Sequence, residues 1–182
     1  MTVWEFRNAD VNRYALWTNA DAVDLDDGLF DIGGVALNWP RRPRLTAFVE
    51  PRTRKAKPQA DIGALQPGAV LLNARAHDAL SAFLGAFGQL LEVDCDGRPG
   101  WFYNVTTVID ALDGDNSEYR ASGTVAREAF VAGRIPVEPV VFKVPQTATV
   151  KLYVNDAARQ VIEARIAAAR LTGAEFVVPG SR

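Results

Sequence analysis

Apolar positions recur along this chain with two periods, one helical and one strand-like. After Asn155, Val161, Ile162, Ile166 and Ala169 share one helical face, while Arg159, Glu163 and Arg170 take the other. This predicts an amphipathic helix capped by Asn155, running to about Arg170 and ended by Thr172-Gly173. Ala76, Leu80, Phe83, Leu84 and Phe87 predict a second helix behind an Asn73 cap, with Gly88 as its stop. On this reading Phe83 is a core residue, more costly to truncate than the Asn155 cap.

Aromatic and β-branched runs predict strands at Ala69–Leu72, Leu90–Val93, Trp101–Ile109, Val140–Val144, Thr149–Val154 and Ala174–Val178. Asp96-Gly97-Arg98-Pro99-Gly100 marks a turn between two of them, and Pro145 another. Nearer the start, Val3–Phe6, Tyr14–Trp17 and Leu45–Val49 read as short strands broken by prolines and Gly33-Gly34. Residues 51–68, rich in Pro, Lys and Arg, read as a mobile connector. Clustered strands with two separated helices describe an α+β fold: a mixed, mainly antiparallel sheet, two main helices and a β-rich N-terminal extension. The chain divides into an extension or subdomain over 1–66 and an α+β domain over 67–182.

Composition narrows the chemistry. The 182 residues are 48% hydrophobic and 23% charged, which suits a folded domain with a real core. No apolar run approaches the roughly 18 residues that a membrane span needs. The first residues lack the basic and apolar regions of a secretory signal, so the expected location is the cytoplasm. One cysteine, Cys95, excludes an internal disulfide and a multi-thiolate zinc site. One histidine, His77, excludes a metal site with two imidazoles from one chain and is read as a surface or capping residue. Cys95 lies between Asp94 and Asp96, which hold its thiol protonated and rule it out as a nucleophile. No catalytic set and no cofactor site emerge, and the chain is read as a non-enzyme.

Charge is segregated beneath a net of -2. Residues 1–31 carry seven acids against Arg7 and Arg13, among them Asp24, Asp26 and Asp27. Residues 41–57 carry seven cations against Glu50. Asp110, Asp113, Asp115 and Glu118 then fall within nine residues with no cation among them. A loop of that kind is a candidate contact for a basic partner, with Arg120 or the 41–57 run as the intramolecular alternative. Two rival functions use the same blocks. One is a divalent-metal enzyme built on Asp110–Glu118, although the spacing is not that of an EF-hand. The other is a nucleic-acid module built on 41–57, against which stand its prolines and an overall pI near 5.5.

The order of features from Leu71 onward is distinctive. Leu72-Asn73-Ala74-Arg75-Ala76-His77-Asp78-Ala79-Leu80 opens the first helix. Tyr103-Asn104-Val105-Thr106-Thr107-Val108-Ile109-Asp110-Ala111-Leu112-Asp113 follows, with Ser117-Glu118-Tyr119 close behind. Val141-Phe142-Lys143-Val144, Tyr153-Val154-Asn155-Asp156 and Leu171-Thr172-Gly173-Ala174-Glu175-Phe176 complete it. Over about residues 68–178 this resembles a family of bacterial immunity proteins from polymorphic toxin systems. The resemblance implies a cytoplasmic, non-enzymatic inhibitor that binds one cognate toxin, encoded nearby, and occludes its active site. It implies no nucleic-acid or membrane partner. Asp110, Asp113, Asp115 and Glu118, followed by Asp24, Asp26 and Asp27, are the partner-binding candidates.

Overall fold

The computed structural model describes residues 1–9, 12–21, 28–52 and 55–180. Its longest local element is a hairpin, β6 (Gly88–Cys95) with β7 (Arg98–Val105), paired from Gly88↔Val105 to Cys95↔Arg98. Asp96 and Gly97 join the two strands with φ of 51° and 79°. This is the two-residue type I′ geometry that Asp-Gly favours, because its twist matches that of the strands. The other end needs a glycine for space: a Cβ on Gly88 would overlap the Asn104 carbonyl oxygen. Gly88 therefore starts a strand and is not the helix stop expected of it.

Around this hairpin lie β2 (Trp17–Asn19), β3 (Arg44–Ala47), β4 (Ile62–Gly63) and β5 (Val70–Leu72), in the order β2-β3-β6-β7-β5-β4. All neighbours are antiparallel except β3 and β6. The outer strands meet through a parallel bridge, Leu16↔Ala64, and Trp17 N–H donates to the Ala64 carbonyl at 2.8 Å. The sheet thus curls into a closed barrel. Alternation decides what fills it: Phe102, Leu71, Leu45 and Val93 point inward, while Tyr103, Val105, Val70 and Leu72 point outward.

The outward residues pack against two helices, α1 (Ala74–Leu84) and α2 (Asp156–Ala169). Both asparagine caps are as expected. Asn73 Oδ1 accepts the Ala76 N–H at 3.0 Å, and Asn155 Oδ1 accepts that of Ala158 at 2.9 Å. α1 buries Ala76, Leu80 and Leu84, whereas Phe83 and Phe87 are only half-buried on its flank.

The same core is shared by a four-stranded antiparallel sheet, ordered β10-β11-β1-β12. Its strands are β1 (Val3–Asn8), β10 (Val141–Phe142), β11 (Tyr153–Asn155) and β12 (Ala174–Val177). Its other face buries Val3, Phe142 and Tyr153 beneath the segment from Ala111 to Ile135. That segment carries a separate ribbon, β8 (Glu118–Tyr119) with β9 (Val125–Arg127). Two helices and twelve strands among the described residues make an α+β fold with mixed, mostly antiparallel sheets.

Several sequence expectations shift. Residues 51–68 are not all connector: Ala60 to Ala64 are buried and include β4. The strand expected over 101–109 ends at Val105, because the amides of Thr106 and Thr107 both turn to the Phe87 carbonyl. The strand expected over 149–154 is β11 alone; Thr149 and Val150 are exposed beyond a 3-10 turn at Pro145–Thr147. The division at residue 66 crosses both sheets. β1 lies between β11 and β12, and β2, β3 and β4 complete the barrel.

Candidate functional site

The candidate site is the segment Asp110–Arg127, anchored at its base and exposed at its tip. Ala111 is fully buried, and Leu112 bridges to Phe130. The chain then turns on Asp113, whose carboxylate accepts the backbone N–H of Asp115 and Asn116 and the Asn116 side-chain amide at 2.8 Å. Those donors, the Asn116 amide first, hold the Asp113 carboxyl below the usual carboxylate range. Ser117 locks the turn, donating to the Asp113 carbonyl at 2.6 Å and accepting the Ala129 N–H at 3.0 Å.

Beyond this turn the ribbon runs out through Glu118 and Tyr119 and returns by a loop closed between Arg120 and Thr124. Asp110, Asp115 and Glu118 are exposed. Their neutralising partners are not those expected. Arg134 lies 3.8 Å from Asp110 and Arg127 lies 3.5 Å from Glu118, while Arg120 donates to the Val125 carbonyl. Asp115 has no cation at ion-pair distance among the described residues. The sequence reading missed Arg127 and Arg134. The Ser122-Gly123 turn signal is the clue that would bring Arg127 back opposite Glu118.

Four carboxylates close in sequence are therefore not one cluster in space. Asp113 builds a turn, Asp110 and Glu118 face arginines, and the described residues assemble no metal-ligand group. Of the other acidic candidates, Asp24, Asp26 and Asp27 lie outside the described residues. In the basic run, Arg42 pairs with Glu92 at 3.0 Å and donates to the Val93 carbonyl, so its partner is β6.

The remaining reactive groups are held by the fold. His77 stacks on Trp101 with ring centroids 4.0 Å apart. Burial, then Asp94 and Asp96, pushes the Cys95 thiol up to about 12. Asp61 is buried and accepts from Asn73 Nδ2, Arg75 Nη1, and the N–H and hydroxyl of Thr172, all at 2.9 Å. Lys143 is wholly buried and donates from Nζ to the carbonyls of Gly68 and Ala148. Glu128, also buried, meets Lys151 at 2.6 Å and the Tyr153 hydroxyl at 3.2 Å.

Among the described residues, no helix is long and apolar enough to cross a membrane. Compared with known families and characterised proteins, the chain matches no family model and no curated sequence.

Proposed function

We propose that this chain is a cytoplasmic immunity protein that binds a cognate bacterial toxin, encoded nearby, and occludes its active site. The observation that carries the reading is the exposure of Asp110, Asp115 and Glu118 on a segment outside the barrel and the four-stranded sheet, its base fixed by Ala111 and Leu112. Asp110 and Glu118 each lie beside one arginine, and Asp115 beside none among the described residues. Carboxylates placed so meet a basic cleft without rearranging the fold, and they raise the encounter rate. The family resemblance supports the same reading. Its segments cover β5, α1, β7, the β11–α2 junction and β12, which form one continuous core.

The test uses the product of the neighbouring gene as the toxin. The reading expects the two proteins to co-purify as a stoichiometric complex and the chain to protect cells expressing that toxin. The charge-neutral variant Asp110→Asn/Asp115→Asn/Glu118→Gln leaves the Asp113 turn intact. It should associate about tenfold more slowly at low salt, with a flatter salt dependence and unchanged melting temperature. Wild-type association by this variant would remove the ribbon from the interface, and failure to bind the toxin at all would remove the immunity reading.

A further inference from the structure

The two mouths of the barrel differ. The mouth at Gly88 and Val105 is plugged by residues 29–39, with Leu29, Phe30, Ile32 and Trp39 packed into the interior. Gln89 exchanges hydrogen bonds with Leu37 at 2.8 and 3.0 Å, and Asn104 donates to the Val35 carbonyl at 2.8 Å, holding that plug. At the opposite mouth, beside the Asp96-Gly97 turn, lies a cavity of about 290 Å³. Trp17, Leu71 and Cys95 make its floor, and Asn73, Arg75 and Arg98 are on its rim.

We infer that this open mouth binds a small monoanion with an apolar body, of the carboxylate class. Barrel mouths are recurrent ligand sites, and this volume is near their lower limit of roughly 300 Å³. The lining holds two arginines and no acid. Arg75 is already matched by Asp61, whereas Arg98 is exposed and has no carboxylate partner among the described residues. One free guanidinium fork suits one planar carboxylate. A dianion is disfavoured by the charges of Asp94 and Asp96, which reach Cys95 on the floor while their carboxylates accept the N–H groups of Gly97 and Ala47. On the floor, the Trp17 indole N–H donates to no group among the described residues, whereas the Trp4 and Trp39 indoles donate to Asp156 and Leu29, so Trp17 is the indole placed to report an occupant.

The test is a titration of the full chain with benzoate, and with neutral benzamide as its isostere. It is followed by proton–nitrogen correlation spectra of the four tryptophan indoles, with Trp17→Phe assigning the Trp17 signal. Benzoate should shift that signal saturably in the millimolar range, and benzamide should bind about tenfold more weakly. Arg98→Ala should weaken benzoate about tenfold and leave benzamide unchanged, while the other indole signals keep their positions. A Trp17 signal unmoved by benzoate across the millimolar range overturns the site. Equal binding of benzoate and benzamide to the wild type, a comparison that needs no variant, overturns its anion selectivity.

Discussion

Asn155 does more than cap α2. Its Oδ1 also accepts the Val140 N–H, and its Nδ2 donates to the carbonyls of Pro136 and Glu138 at 2.9 and 2.7 Å. Removing it orphans buried groups on two elements, so Asn155→Ala should cost about 3 kcal/mol, against about 1 for a simple cap. Phe83 is half-buried beside Phe87 and beneath Arg165, so Phe83→Ala should cost only about 1–2 kcal/mol. Urea denaturation of the two variants should give this order, the reverse of the one expected from helical periodicity. A buried lysine gives a second residue-scale prediction. Burial pushes the Lys143 ammonium down to about 8, from an ordinary value of 10.5. Between those two values the unfolded chain binds more protons than the folded one, so the Lys143 contribution to stability rises with pH. From pH 7 to 9 the wild type should gain about 1 kcal/mol relative to Lys143→Met in urea denaturation. Cys95 and the buried tyrosines act in the opposite sense at higher pH, but they are common to both proteins and cancel in the difference.

At the scale of elements, Asp61 is the point where β4, α1 and α2 are tied together. Burial pushes its carboxyl up, but the hydrogen bonds from Asn73 and Thr172 and the charge of Arg75 outweigh that and hold it below its ordinary value. Arg75 also donates to the Ala169 carbonyl at the end of α2. Asp61→Ala would leave these donors without an acceptor and should cost about 3 kcal/mol in chemical denaturation. With the folded pKa depressed, this contribution is present above the unfolded value of 3.8 and is lost as pH falls through the folded one. The Asp61 contacts are illegible in the sequence because Asp61 and Thr172 lie 111 positions apart. The elements they join are legible. As helix caps, Asn73 and Asn155 bind an N–H three residues on, and Asp96-Gly97 joins adjacent strands, so local chemistry alone announced two helix starts and a hairpin.

The whole molecule gives the sharpest contrast with a division at residue 66. β1 runs from Val3 between β11 and β12, pairing Val3 with Asn155 and Glu5 with Val177. Removing it would split the four-stranded sheet and uncover Phe176, which stacks on Phe6 at 5.0 Å. The barrel would also lose β2, β3 and β4. A fragment of residues 67–182 should therefore show no cooperative thermal transition and no dispersed amide spectrum. A fragment that melts cooperatively would show that the N-terminal strands are accessory.

What this sequence determined by itself is what short-range forces set: strand and helix periodicities, the asparagine caps, the Asp-Gly hairpin and hence the α+β class. It also marked the exposed acidic stretch, because charge density is a property of adjacent residues. Tertiary structure decided the rest. Only closure of the barrel through Leu16 and Ala64 leaves one mouth plugged and the other open. Only packing beyond the local β8–β9 ribbon sets Arg134 beside Asp110. It also buries Lys143 against carbonyls instead of leaving it in water. Such contacts join residues far apart in sequence, and the pairing that brings them together is selected by burial of the shared core, which no local window contains.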